Sequence, residues 1–128
     1  MTERRRIGSG GPWEASAGYS RAVVVGDVCH VSGTTDAGPD GRTQHPDDAA
    51  AQARAAWAIV AAALESGGFS LADVVRTRMY VTRRDDMNAV TAVHGEVFGA
   101  IRPAATIVVV SGLIDPTLLV EVEAEARR

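Results

Sequence analysis

The chain has 128 residues, of which 46% are apolar and 23% charged, and this composition fits one folded domain spanning residues 1–128. The net charge of −3 argues against sequence-independent binding of nucleic acid, which requires a clustered positive surface. No stretch reaches the roughly 18 apolar residues of a membrane span, and the single cysteine excludes an internal disulfide. We therefore expect a cytoplasmic protein with no membrane partner.

The first 17 residues are predicted to be a partly irregular N-terminal segment. Arg4-Arg5-Arg6 is interpreted as a solvated tail, and the glycine-rich residues 8–18 as a loop. Two β-branched runs follow, at residues 20–25 and 28–34. Because only Gly26-Asp27 separates them, they predict a β-hairpin.

The clearest predicted helix covers residues 46–65. Pro46 suits a first helical position, and the acidic residues after it suit the positive end of the helix dipole. Apolar residues recur at helical spacing along this segment, and Gly67-Gly68 ends it. Residues 70–73 have the spacing of a capping box, which predicts one short turn.

The remaining pattern predicts a strand at residues 74–81, a helix at 85–98 ended by Gly99, and strands at 105–110 and 118–126. The predicted order is ββ-α-β-α-ββ. Two helices of this length could cover one face of a mixed sheet, which is an α+β architecture.

Alternation along the last strands predicts that the other face of the sheet mixes charged and apolar side chains, which suits an interface or else an open charged face of a monomer. Successive strand residues point to opposite faces. Val120, Val122 and Ala124 should therefore face the helices while the glutamates between them face away. We expect the charged face to carry these side chains: Glu121, Glu123, Glu125, Arg76, Arg78, Tyr80, Ala105, Ile107 and Val109.

Several strings resemble the RidA/YjgF (Rid) family in order and spacing over nearly the whole chain. They are Tyr19-Ser20-Arg21-Ala22-Val23, Val31-Ser32-Gly33, Ala51-Gln52-Ala53-Arg54, Asp73-Val74-Val75-Arg76-Thr77, Tyr80-Val81, Arg102-Pro103-Ala104 and Leu119-Val120-Glu121-Val122-Glu123-Ala124. The resemblance implies a chorismate-mutase-like (YjgF-type) fold, in which two helices pack on one face of a mixed six-stranded sheet. It also implies a homotrimer with a central β-barrel and three small-molecule clefts between subunits.

Deaminases of this family hydrolyse reactive enamines and imines, and an arginine in a Pro-Ala-Arg motif binds the substrate carboxylate. Here the motif is Pro103-Ala104-Ala105, so an alanine stands at the position of the arginine. Alanine supplies neither the charge nor the forked donors that hold a carboxylate. Ala105 and Ile107 are expected to form an apolar pocket floor, and the family's deamination of 2-imino acids is not expected. Arg78 and Arg102 are candidate replacement anchors, or else an ion-pair member and a solvated loop residue.

Four further residues match cleft positions of the family. Glu121 matches a glutamate that positions water, and its alternative interpretation is an ion pair. Tyr19 matches a tyrosine at the cleft mouth, or else it packs locally. Ser32 and Gly33 match a Ser-Gly pair whose backbone lines the cleft.

Two functions stay open from the sequence. One is an enzyme that hydrolyses an enamine, imine or related small metabolite, and the other is a non-catalytic ligand-binding or regulatory trimer. RNA cleavage, also attached to this family, ranks last because the chain is acidic. No cofactor motif and no metal-site spacing is present among the three histidines and Cys29, so no cofactor or metal is expected.

Overall fold

The computed structural model describes residues 3–128, which form a mixed six-stranded sheet with helices on one face. This α+β architecture was expected from the sequence. The elements in chain order are β1 (Arg4–Ile7), α1 (Trp13–Ala17), β2 (Ala22–Val25), β3 (Val28–Thr34), α2 (Ala49–Ser66), β4 (Val74–Val81), α3 (Met87–Phe98), β5 (Ala104–Val109) and β6 (Val120–Arg127).

The order of strands across the sheet is β1-β2-β3-β6-β4-β5. Strands β4 and β5 are parallel and are connected through α3, whereas the other neighbouring strands are antiparallel. The predicted hairpin joins β2 to β3, and Gly26 takes a φ of 60° in its turn, a conformation that glycine adopts without strain. The C-terminal strand β6 therefore lies in the middle of the sheet.

Helices α2 and α3 bury the apolar face of the sheet. Helix α2 begins where the Asp48 side chain accepts a hydrogen bond from the Ala51 amide, and it ends at Gly67. Trp57 and Leu64 of α2 and Phe98 of α3 are buried with Val122 of β6 in one core. Among residues 3–128, no helix is long and apolar enough to cross a membrane.

Three predictions for the first half of the chain were wrong. Arg4-Arg5-Arg6 is not a solvated tail: these residues form β1, which pairs antiparallel with β2. Strand pairing uses backbone groups, so an edge strand does not require apolar side chains. Pro46 does not begin α2, because Asp47 has a φ of 57° and the helix starts after Asp48. The predicted glycine-rich loop also contains the short helix α1.

The register of the sheet confirms the charged face on β4 and β6 but corrects it on β5. Val120, Val122 and Ala124 are buried, and the glutamates between them face away from the helices. Ala105 pairs with Thr77 and Ile107 with Met79, and both partners are buried beneath the helices. Parallel neighbours share a face, so Ala105, Ile107 and Val109 lie on the helix side. The sequence pattern assigned these residues to the wrong face because most of β5 is exposed, so its burial does not alternate along the strand.

Buried polar side chains fasten the loops at one end of the sheet. Gln52 is fully buried and bonds to the backbone of His45, Thr117 and Leu119. Asp36, also buried, accepts hydrogen bonds from the Thr43 hydroxyl, the Gln44 amide and His45 Nδ1, the last at 2.8 Å. These bonds fix the segment before α2 against the segment before β6.

Candidate functional site

A concavity of about 320 Å³ lies on the charged face of the sheet, beside Glu121. We call it the Glu121 concavity. It is formed where the bend in β3, the ends of β4 and β6 and the segment after β5 meet. The residues that line it are Gly33, Tyr80, Val110, Gly112, Leu113, Glu121 and Glu123.

Glu121 and Gly33 touch because the pairing of β3 with β6 is irregular at this point. The register shifts between Val31, which pairs with Ala124, and Thr34, which pairs with Val122. A Cβ atom built on Gly33 would lie 2.7 Å from Glu121 Oε2, inside van der Waals contact. Glycine is therefore required here for the carboxylate to sit against the backbone. The sequence placed both residues at cleft positions by resemblance, and in the structure they are neighbours.

The Glu121 carboxyl is less acidic than an ordinary glutamate. Burial raises the pKa of Glu121, the Arg21 guanidinium opposes that rise, and the neighbouring Glu123 adds to it. Tyr80 Oη donates a hydrogen bond to Glu123 Oε1 at 2.9 Å, and this bond, with burial second, raises the pKa of Tyr80. The concavity thus combines a carboxyl poised to exchange a proton with a phenol that stays protonated at neutral pH.

Residues 19–21 lie behind the bend in β3. Arg21 Nη2 donates to the carbonyl oxygens of Ser32 at 2.9 Å and Gly33 at 2.6 Å. Ser32 uses its hydroxyl to bond the carbonyl of Ser20 at 2.6 Å, so this hydroxyl is engaged with the backbone. Tyr19 has 44% of its surface exposed and follows the C-cap of α1, and it does not line the Glu121 concavity.

The two candidate replacement arginines lie elsewhere. Arg78 Nη1 contacts Glu125 Oε1 at 3.1 Å and Glu123 Oε1 at 3.7 Å. It lines a second concavity of about 200 Å³ with His30, Glu123 and Glu125. Arg102 is exposed in the connection between α3 and β5, with a φ of 57°. Within one chain, neither residue lines the Glu121 concavity.

Ala105 and Glu121 of the same chain do not share a cavity. Ala105 is level with Thr77, whereas Glu121 is level with Tyr80, three residues further along β4. At about 3.3 Å per residue and about 4.8 Å per strand, their Cα atoms lie roughly 14 Å apart. Their side chains also point to opposite faces. The predicted pocket with an Ala105 and Ile107 floor beside Glu121 therefore requires residues from two copies of the chain.

His94 is a packed residue. Its Nε2 lies 2.8 Å from the Thr77 hydroxyl, and its ring packs against Phe98 and edge-on to Trp57. Burial lowers the pKa of His94. Within residues 3–128, no group of three or more His, Cys, Asp or Glu side chains is arranged to hold a metal ion.

Comparison with known proteins assigns the chain to a family. The family model described as Endoribonuclease L-PSP, which represents the YjgF/RidA proteins, matches residues 12–128. The chain belongs to the YjgF/RidA (Rid) family. An uncharacterized protein of Streptomyces coelicolor, SCO2049, is 40% identical over 97% of this chain and 92% of its own length.

Solved structures of Rid-family proteins have the same architecture. Rv2704 of Mycobacterium tuberculosis is 45% identical, with a TM-score of 0.89 over 98% of this chain and 100% of that one. TdcF of E. coli, solved with bound serine, is 26% identical, with a TM-score of 0.78 over 97% and 94% of the two chains. The fold inferred from the sequence strings is confirmed.

Sequence reasoning missed four features in and around the Glu121 concavity. Tyr80 and Glu123 could have been found, because the alternation of β4 and β6 already placed them on the face of Glu121. The segment from Val110 to Leu113 and the Arg21 guanidinium carried no readable signal. An arginine that binds carbonyl oxygens looks the same in a sequence as a solvated one.

Proposed function

We propose that this Rid-family protein hydrolyses a small enamine, imine or related metabolite in the cytoplasm, with Glu121 as the general base. One observation carries the proposal. A half-buried carboxyl of raised pKa lies in a concavity of about 320 Å³, against the bare backbone of Gly33. Raising the pKa of a carboxylate makes it a stronger base, which helps it to take a proton from water.

The chemistry requires little beyond a positioned water molecule. Glu121 takes one proton as the water oxygen bonds to the C=N carbon, and the nitrogen then gains protons and leaves as ammonia while the C=O bond forms. Tyr80, held by Glu123, presents a neutral phenol at the same concavity. Because its proton is donated to Glu123, the phenolic oxygen can accept a hydrogen bond from the attacking water or from a substrate N–H.

The proposed cleft lies between copies of the chain in a homotrimer. The charged face carries the half-buried pair Arg78–Glu125, and Ile114 beside the concavity is 92% exposed. Charges that can pair and an exposed apolar side chain both suit a face covered by another copy. Analytical ultracentrifugation should give the mass of three chains, and a monomer at micromolar concentration would contradict this part.

The substrate is not expected to be anchored as in family members that carry the arginine. Serine bound to TdcF supports an amino-acid-like ligand for that protein. In this chain, Ala105 removes a charge-assisted bond worth about 1.5–3 kcal/mol. We therefore expect weak or no activity on 2-iminobutanoate and better activity on imines without a carboxylate.

The test compares the two substrate types. A serine or threonine dehydratase generates the 2-imino acids in situ, an amine oxidase generates imines without a carboxylate, and carbonyl release is measured against decay in buffer. Glu121→Gln should abolish any acceleration. Ala105→Arg should gain activity on the 2-imino acids, and its new side chain has room because Ala105 is exposed.

The second candidate is a non-catalytic ligand-binding or regulatory trimer, and the observation in its favour is Ala105 itself. A site without a cationic anchor can hold a metabolite and leave it unchanged. Release of carbonyl product at the rate of the buffer control, together with saturable calorimetric binding of an amino acid, would favour this function over hydrolysis. RNA serves as a negative control in the binding measurement. We expect no binding, because three glutamates lie on the charged face of the sheet.

A further inference from the structure

Arg21 is built into the backbone that supports Glu121. Its carbonyl oxygen accepts a hydrogen bond from the Ser32 amide at 3.0 Å, so Arg21 and Ser32 face each other across the hairpin. One guanidinium nitrogen, Nη2, then bridges the carbonyl oxygens of Ser32 and Gly33, at 2.9 and 2.6 Å. These two carbonyls lie at the bend of β3, where its register against β6 shifts.

Through Gly33, this contact determines where the bend lies relative to the catalytic carboxyl. Gly33 approaches Glu121 so closely that there is no space for a Cβ atom between them. A small displacement of the bend would therefore change the position of the carboxyl. Catalytic geometry is sensitive on this scale, since a displacement of about 1 Å can cost about a hundredfold in rate.

Arg21 also acts on Glu121 through its charge. Burial favours the protonated form of this carboxyl. Of the charged groups that face it, Glu123 on β6 also favours the protonated form, whereas Arg21 favours the ionised form. Tyr80 on β4 completes the surroundings as a neutral phenol bonded to Glu123. A guanidinium stays charged at neutral pH even when burial lowers its pKa, as it does here.

If Arg21 served only to hold the backbone, its burial would lower the stability of the fold. Its Nε is buried and has no hydrogen-bond partner among residues 3–128. Such a donor loses its hydration without gaining a hydrogen bond, which destabilises the folded state, and native proteins contain few of them. A residue that carries this cost beside the proposed base is better explained by what it does for that base.

We propose that Arg21 is a positioning residue for the Glu121 site: it holds the Gly33 backbone against Glu121, and its charge keeps that carboxyl available as a base. This inference rests on the proposed function, because it assigns Glu121 the catalytic role. It concerns a residue that lies outside the concavity and acts on the substrate only through Gly33 and Glu121.

Two variants separate the charge from the geometry. Arg21→Gln removes the charge, and Arg21→Lys keeps it but replaces the rigid guanidinium, whose Nη2 reaches both carbonyls, with a shorter and more flexible ammonium side chain. Carbon-13 NMR of the glutamate carboxyls gives the titration of Glu121 directly, whether or not the protein turns over a substrate, and Glu121→Gln assigns the signal. Arg54→Gln is the matched control, since Arg54 pairs with Glu96 on the surface of the helices.

Arg21→Gln should move the Glu121 titration to higher pH, and the acidic limb of the rate profile should move with it. Arg21→Lys should leave the titration close to that of the wild type while lowering kcat about tenfold or more. Arg54→Gln should change neither. If Arg21→Gln unfolds, Arg21→Met still removes the charge and tests its effect on the Glu121 titration, while Arg21→Lys tests the geometric role by kcat.

A Glu121 titration that is the same in Arg21→Gln and the wild type overturns the charge role, even if activity falls. An unchanged kcat in Arg21→Lys overturns the geometric role. If the wild type accelerates no substrate, the proposed function fails, and the NMR titration still decides whether Arg21 controls the ionisation of Glu121.

Discussion

Gln52 offers a sharp test of how the loops around the concavity are fixed. It is fully buried in α2, where its Oε1 accepts the Leu119 amide hydrogen bond at 2.8 Å. Its Nε2 donates to the carbonyl oxygens of Thr117 at 3.3 Å and His45 at 3.1 Å. One side chain thus joins α2 to the two loop segments on either side of it, and Gln52→Met removes all three bonds while keeping a similar length and volume.

The expected loss of stability follows from the groups left behind. Leu119 is buried and Thr117 is partly buried, so their backbone groups would lose a partner without gaining full hydration. Each such group costs about 1–3 kcal/mol. The third partner belongs to His45, an exposed residue, where water can replace the amide. Because burial of the methionine side chain offsets part of the total, we expect Gln52→Met to lower the free energy of unfolding by about 3 kcal/mol.

Urea unfolding measures this difference. With a slope of about 1–3 kcal/mol per molar urea, the midpoint should fall by about 1–3 M. Wild type and variants must be compared at one protein concentration, since assembly would contribute to stability. Gln44→Met makes the same chemical change at an exposed position and should alter the free energy by about 0.5 kcal/mol or less. A Gln52→Met protein within about 1 kcal/mol of the wild type would refute the reasoning.

Three further predictions follow from contacts at and around the site. Gly33→Ala should lower the proposed hydrolysis about a hundredfold, because its Cβ displaces the carboxylate at 2.7 Å, yet leave stability nearly intact. Gly95→Ala is the control, because its Cβ meets no described atom within 4 Å. It should stabilise α3 by about 0.5–1 kcal/mol and keep the wild-type rate. Equal rates in Gly33→Ala and Gly95→Ala would argue against the proposed site. Because burial lowers the pKa of His94 in the folded state, the unfolded chain binds more protons below about pH 6.5. Stability should therefore fall on acidification from that pH, and urea unfolding at pH 7.5 and 5.5 should show a smaller fall in His94→Gln; an equal fall excludes His94 as the cause. Asp36→Asn replaces a carboxylate oxygen with an N–H₂ group among three donors, so it should cost about 1–3 kcal/mol and speed amide exchange at residues 43–45, whereas unchanged exchange would show that Asp36 does not hold this loop.

The sequence predicts the parts of this fold that rest on side-chain periodicity. The alternation of Val120, Glu121 and Val122 gave both faces of β6 correctly, and the glycines after α2 gave its end. Features that rest on backbone pairing were not predictable in this way. Strand β1 begins with three arginines, and the face of Ala105 depends on a register that alternation alone does not set.

The candidate site was predicted only where it coincides with matched strings. Gly33 and Glu121 were expected together and do meet, whereas Arg78 and Arg102 do not reach their concavity. The contribution of Arg21 depends on a bend in β3 that brings two carbonyls within reach of one nitrogen. Such a bend is a property of the assembled sheet, since it arises from the pairing of β3 with β6.

The central place of β6 has a consequence for how this protein is made. Strands β3 and β4 are both neighbours of β6 and are joined to each other through it. On the ribosome, the hairpin and the β4–α3–β5 unit can form early, but they stay unconnected until β6 has left the exit tunnel. Folding then depends on contacts between distant parts of the chain, which is typical of slow, late closure. A chain shortened by its last eight residues would be left with two separate half-sheets.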